Sequence, residues 1–195
     1  MDEFVVKPLD PSTWPAYADL IERHNGVWGG CWCMGFQSDR KPEYTSLTEK
    51  KEDKRVLVCK GRAHAAVVFD GEIAIGWCQY GRSDEIAPRN KFKRTYFPGL
   101  QAEPDWRITC FFVHRRYRGQ KVSSLALEGA LRLIAEAGGG LVEAYPEDMS
   151  DRTVNSAFIC LGTTAMFERR GFTRQRQVAK YHWVMTKAVE KSKVD

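Results

Sequence analysis

The sequence predicts an α/β domain: a mixed, mostly antiparallel central sheet with one parallel strand–helix–strand unit and helices on both faces. Three observations lead there. The apolar run 108–113 passes through a basic turn, His114-Arg-Arg-Tyr-Arg-Gly119-Gln-Lys121, into a stretch whose apolar residues recur near helical spacing as far as Ala137. Such a strand–helix–strand unit joins parallel strands through a right-handed crossover. Asp70-Gly71 lies between the apolar runs 65–69 and 73–77, a hairpin signal that adds antiparallel partners. Helical patterns elsewhere in the chain supply cover for the two sheet faces.

Each element has its own signal. Residues 4–9 read as a strand stopped by Asp10-Pro11, and 11–25 as a helix with Trp14, Tyr17, Ala18 and Ile21 on one side. An aromatic, Gly-rich stretch follows, from Gly26 to Phe36. Ser46 or Thr48 caps a second helix that ends at Gly61. After the hairpin, 83–98 is a basic connection without clear period. The strand 108–113 and the helix 122–137 come next, and Gly138-Gly-Gly140 stops the helix. Residues 141–145 form a strand that Pro146 ends. Residues 157–170 read as a helix closed by Gly171, and 172–178 with 180–185 as a last strand pair.

A chain of 195 residues with 43% hydrophobic and 28% charged residues suits one well-buried domain and is short for two. Residues 1–187 are read as that domain and 188–195 as a charged tail. No apolar stretch approaches the roughly 20 residues of a membrane helix. The N-terminus lacks the pattern of a signal peptide, and six scattered cysteines suit reduced thiols, so a cytoplasmic location is expected. A net charge of +5 favours a polyanionic ligand. The basic runs 89–94 and 169–176 come without a nucleic-acid-binding signature, so neither nucleic acid nor membrane is expected as a partner. A homodimer is left open.

The junction at 113–123 has a physical meaning of its own. A helix start leaves several peptide N–H groups without partners, and the aligned peptide dipoles make that end partly positive. Its natural partner is an anion such as a pyrophosphate. With Val113-His-Arg-Arg-Tyr-Arg-Gly-Gln-Lys-Val-Ser123 in that place, the chain resembles the GNAT superfamily of acyl-CoA N-acyltransferases. The family's phosphate loop, Arg/Gln-x-x-Gly-x-Gly/Ala, matches Arg118-Gly119-Gln120-Lys121-Val122-Ser123. Met166-Phe-Glu-Arg-Arg-Gly-Phe172 resembles the family's helix ending in a Gly-Phe strand entry. Gly30-Cys-Trp-Cys-Met34 and Val142-Glu-Ala-Tyr-Pro146 resemble a bacterial branch of it. The resemblance implies acetyl-CoA as co-substrate, its pyrophosphate on the turn and its pantetheine beside the strand end. Phe112, Val113, Arg118, Gly119, Gln120, Lys121, Val122, Ser123 and Ser124 would hold it. It further implies transfer of acetyl to a primary amine, on a small molecule or a peptide, by direct attack in a ternary complex.

Three departures bear on the chemistry. Lys121 stands where the family has Gly, and Ser123 where it has Gly or Ala. A helix N-terminus does not demand positive φ, so Lys121 is expected to add a cation without strain. Phe167 occupies the position, four residues before the Gly of Gly-Phe, where many members carry a Tyr that protonates the departing thiolate. Phe has no proton to give, so the alternative reading is a non-catalytic acyl-CoA-binding sensor or interaction module.

An amine must be neutral to attack a thioester, so a base helps. Glu143 is the first candidate, since a carboxylate inside the apolar strand 141–145 is costly unless paired or functional. Strand alternation puts Tyr145 on the same face as a proton donor. A structural salt bridge for Glu143 and packing for Tyr145 are the alternatives. His114 is a weaker candidate. Trp28, Trp32, Met34 and Phe36 are read as acceptor-pocket lining, with plain core packing as the alternative. Cys31-Trp-Cys33 offers too few ligands for structural zinc, and no metal is expected. Cys110 and Cys160, in apolar runs, are expected to be inert thiols.

Overall fold

The computed structural model describes residues 4–24, 30–88, 92–151, 154 and 159–192, and only the backbone of Lys93. Seven strands form one sheet: β1 (Val5–Pro8), β2 (His64–Asp70), β3 (Ile73–Arg82), β4 (Trp106–Val113), β5 (Gly140–Ala144), β6 (Thr173–Ala179) and β7 (His182–Val189). Their order is β1-β2-β3-β4-β5-β7-β6. β4 and β5 run parallel, and every other neighbouring pair is antiparallel. This is the predicted mixed, mostly antiparallel sheet. The hairpin turns at Gly71, whose φ of +57° suits glycine.

Helices cover both faces. On one lie α1 (Trp14–Glu22) and α2 (Leu47–Cys59), over a core containing Tyr17, Leu20, Ile21, Trp77 and Tyr145. On the other lies α4 (Val122–Glu136), which buries Val122, Ala126, Ala130 and Ile134 at four-residue spacing against Ala66, Ile75 and Ile108. α1 begins later than Pro11 because the Asp10 carboxylate accepts N–H bonds from Ser12 (2.8 Å) and Thr13 (3.0 Å) and forms a separate turn. Ser46 caps α2, accepting from the Glu49 N–H (3.1 Å). The connection after β3 carries a one-turn helix, α3 (Lys93–Tyr96), that no periodicity announced.

One helix is shorter than its sequence pattern. α5 spans Thr164–Glu168 instead of 157–170, and of the missing part 157 and 158 lie outside the described residues. Gly162, at φ +76°, breaks the helical path, and the Thr163 side chain caps the start by accepting from the Met166 N–H (3.3 Å). β7 also runs further than expected, to Val189.

Candidate active site

The parallel pairing of β4 with β5 lasts only from Trp106↔Val142 to Ile108↔Ala144. Beyond Ile108 the two strands part. A bulge in β4 between Ile108 and Phe111, opposite Tyr80 and Cys78, helps turn it away. The chain after β5 pairs instead with a later segment: the Glu147 N–H donates to the Gly162 carbonyl (2.9 Å) and the Thr164 N–H to the Glu147 carbonyl (2.9 Å). That segment reaches back to β4, where the Phe111 N–H donates to the Cys160 carbonyl (2.7 Å). A cleft of about 290 Å³ lies along this gap, running from the end of β4 to the start of α4 and bounded by Ile159, Cys160, Gly162, Thr163, Met166 and Arg169.

The cleft gathers most of the residues expected to hold the co-substrate. Phe112, Val113, Arg118, Gly119, Lys121, Val122, Ser123 and Ser124 line it; Gln120 does not, its amide donating to the Arg116 carbonyl (3.0 Å). The first backbone bond into α4 is from the Leu125 N–H to the Lys121 carbonyl (3.0 Å). Among the described residues, the N–H groups of Val122, Ser123 and Ser124 have no backbone partner and no side-chain cap. Arg118, Lys121 and Arg169 add positive charge along the walls. Open amide donors and cations at a helix start make an anion site.

The turn corrects one expectation. Lys121 has φ +61° and ψ +14°, so the position does require the left-handed region. The reason is the short reversal between the 3-10 turn Arg115–Tyr117 and α4, which uses left-handed residues at both Gly119 (φ +80°) and Lys121. Glycine at Gly76 matters differently. A Cβ there would sit 2.8 Å from the Phe112 carbonyl oxygen and 2.9 Å from Val122 Cγ1, so its absence lets α4 start close against β3 and β4.

Side chains fasten the turn from below. Tyr117 O–H donates to Asp70 Oδ2 (2.7 Å) at the β2–β3 hairpin, and this bond raises the phenol's pKa. His114 Nδ1 accepts from the Arg116 N–H (3.2 Å). The His24 ring meets His114 and Phe112 edge-on at 4.7 and 5.0 Å. Both imidazoles are pushed below their ordinary pKa, first by burial and then by neighbouring positive charge.

Glu143 and Tyr145 do not line the cleft. They point to the sheet face under α1 and α2, with Glu143 only 3% exposed. Glu143 Oε1 accepts from Tyr145 O–H (2.5 Å) and Tyr96 O–H (2.8 Å) and lies 3.6 Å from Arg107 Nε. Arg107 also donates to the carbonyls of Ser83 (2.9 Å) and Ile86 (2.8 Å). Burial, then the nearby Glu143 charge, raises the Tyr145 pKa well above that of a free phenol. Trp32, Met34 and Phe36 belong to the same buried cluster as Tyr145, and Trp28 lies outside the described residues. Trp32 and Cys33 both adopt left-handed backbone (φ +49° and +51°), an uncommon state for such residues. Phe167 is fully buried on the opposite face, edge-on to Phe111 and Phe172.

Sequence reasoning missed Phe111, Tyr117, Ile159, Cys160, Gly162, Thr163, Met166 and Arg169 as cleft residues. Met166 and Arg169 fall inside the second family-like stretch, which was a usable signal; Ile159, Cys160, Gly162 and Thr163 fall inside the apolar spacing over 157–170 that reads as helix, which hid them. Arg107 and Tyr96 as partners of Glu143 were also missed. Among the described residues, no group of three or more His, Cys, Asp or Glu is arranged to hold a metal ion, and no helix is long and apolar enough to cross a membrane.

Comparison with known proteins adds the following. A family profile described as the acetyltransferase (GNAT) family matches residues 27–155. No curated protein matches the chain. Among solved structures, the chain is similar to a histone acetyltransferase HPA2 and related acetyltransferase from Corynebacterium glutamicum (14% identity, TM-score 0.55, covering 99% of this chain and 100% of that one). It is similar to the ribosomal-protein-S5-alanine acetyltransferase from Vibrio fischeri (13% identity, TM-score 0.52, covering 97% and 94%). It is also similar to the PaiA N-acetyltransferase from Thermoplasma acidophilum, solved with coenzyme A (12% identity, TM-score 0.50, covering 96% and 99%). At these identities the likeness establishes the fold.

Proposed function

The chain belongs to the GNAT family of acetyltransferases, and from that premise we propose that it moves an acetyl group from acetyl-CoA to a primary amine by direct attack in a ternary complex. The observation that carries this reading is the cleft between the parting strands, closed by a helix start with unpaired N–H groups and flanked by Arg118 and Lys121. The Thermoplasma neighbour, solved with coenzyme A, supports the same co-substrate.

Acetyl-CoA supplies an activated thioester; the chain's residues bind it and handle protons. The amides of Val122, Ser123 and Ser124 donate to the diphosphate, and Arg118, Lys121 and Arg169 balance its charge. Phe111, Phe112 and Val113 form the wall beside the pantetheine arm. In this reading Glu143, which lies outside the cleft on the α1–α2 face of the sheet, accepts the proton of an amine that enters from that face, with Arg107 neutralising its charge in the resting state. Tyr145, kept protonated by burial, is the proton donor for the departing thiolate in place of Phe167. The acceptor is a small or peptide amine. The cysteines are free, in keeping with a reducing cytoplasm.

A second reading has one specific observation behind it. Phe167 fills its place with apolar packing and offers no acid, which suits a module that binds acyl-CoA without turning it over. Calorimetric titration with acetyl-CoA, followed by thiol-release assays over a panel of amines, tests both. Binding with thiol release supports transfer. Binding with no release from any amine favours the second reading, and no binding overturns both.

A further inference from the structure

We infer that the chain acylates itself, with the side-chain amine of Lys54 as the acceptor; this rests on the acyl-CoA reading of the cleft. Lys54 lies on α2, whose outer positions are charged. One turn earlier Lys51 finds a carboxylate, its Nζ 2.5 Å from Glu22 Oε1. Lys54 instead shares the inward face with Leu57 and Val58 and is 1% exposed. Among the described residues its Nζ has no hydrogen-bond partner.

A buried ammonium without a partner is strongly disfavoured. The charges nearest to it would have to come from Cys33, Cys110 and Cys31. A bond to Cys33 and burial push the Cys31 thiol well above its ordinary pKa, and a bond to Cys110 together with burial does the same for Cys33, so both stay neutral and provide no anion. Burial lowers the Lys54 pKa in turn. The group enclosed here is therefore drawn toward the neutral amine, which is the form that attacks a thioester.

Its surroundings adjoin the cleft, although Lys54 itself is not among the lining residues. Cys110 sits at the β4 bulge, and the next two residues, Phe111 and Phe112, line the cleft. Phe112 and Cys160, both cleft residues, pack against the buried cluster that holds Cys33 and Cys110. That cluster also contains Trp32, Met34 and Phe36, the residues expected from sequence to line an acceptor pocket.

The reaction balances without another reagent. The Nζ lone pair adds to the thioester carbonyl carbon, and the carbon–sulfur bond breaks with its electron pair on sulfur. One amine proton passes to that sulfur. The products are a neutral Nζ-acyl amide and free CoA thiol. The amide no longer ionises, so acylation removes the electrostatic penalty of the buried amine.

Peptide mass spectrometry tests this on the full chain incubated with acetyl-CoA, once folded and once in denaturant, with calorimetric binding measured on the folded sample. A merely buried lysine is shielded by folding, whereas a self-acylated one is modified because of it. The expected result is gain of one acetyl on Lys54 in the folded chain ahead of exposed Lys60. That preference should be lost in denaturant and in Gly119→Glu, which places a carboxylate on the cofactor turn. Acetyl-CoA binding with Lys54 unmodified, modified more slowly than Lys60, or modified equally in both states would overturn the inference and leave the acyl-CoA reading standing. Absence of binding would overturn both.

Discussion

Replacing Lys121 by glycine should move stability and binding in opposite directions. Lys121 holds φ +61° at the start of α4, and a left-handed L-residue costs roughly 1–2 kcal/mol that glycine does not incur. Glycine returns about 0.5–1 kcal/mol of this through its larger unfolded-state entropy. The net expectation is a gain of about 0.5–1 kcal/mol, read as a higher urea midpoint at unchanged slope. Binding should weaken. A charge-assisted hydrogen bond from the lysine to a phosphate contributes about 1.5–3 kcal/mol, which is about 10- to 140-fold in affinity. Calorimetric titration with acetyl-CoA measures it. Lys121→Ala is the control, since it removes the charge and keeps the strain; it should bind as weakly without the stability gain. Should Lys121→Gly prove less stable than the natural chain, the strain argument fails. Should it bind acetyl-CoA equally well, Lys121 is not a phosphate ligand.

Two further substitutions probe the rest of the site. Gly76→Ala places a methyl 2.8 Å from the Phe112 carbonyl oxygen and 2.9 Å from Val122 Cγ1, so an overpacking cost of about 1–3 kcal/mol is expected. Affinity for acetyl-CoA should fall with it, because both neighbours line the cleft; a natural denaturation midpoint would show that α4 has slack there. Glu143→Gln should retain binding and lower turnover by about 10²–10⁴, measured as thiol release below the variant's unfolding transition. Undiminished release would take Glu143 out of the chemistry and leave it as the anchor of Arg107, Tyr96 and Tyr145.

What could be read in the sequence was whatever depends on nearest neighbours along the chain. Asp70-Gly71 marked its hairpin because two residues decide that turn. The end of β4 and the start of α4 were marked by a switch from continuous apolar residues to helical spacing, so the cleft's main walls were legible. The Lys121 conformation was not, because it follows from how little chain is left between the 3-10 turn and the helix. The bounds of α5 were also hidden: the apolar spacing over 157–170 runs through Gly162, where the backbone turns left-handed. The partners of Glu143 were further out of reach. Tyr96 is 47 residues away in a connection with no period, and Arg107 is parallel-paired with Glu143 through a register that only the finished sheet defines.

The β4 bulge ties these features together. Simple alternation would put Ile108, Cys110 and Phe112 on one face, yet Ile108 packs with Phe111 under α4, while Cys110 and Phe112 face the α1 side. One inserted residue therefore has two results. It swings Phe111 over to meet Phe167, which in turn meets Phe172, building an aromatic contact in which a phenol would need a buried partner, so phenylalanine fits that place. It also delivers Cys110 to the thiols around Lys54. The bulge thus divides the work of β4 at the point where β5 departs: Phe111, Phe112 and Val113 border the cleft, and Cys110 lies on the side of the sheet that encloses Lys54. A residue added to or removed from β4 at this point would exchange the two faces of everything beyond it, uncoupling the cleft from the α1–α2 side while leaving the rest of the sheet paired.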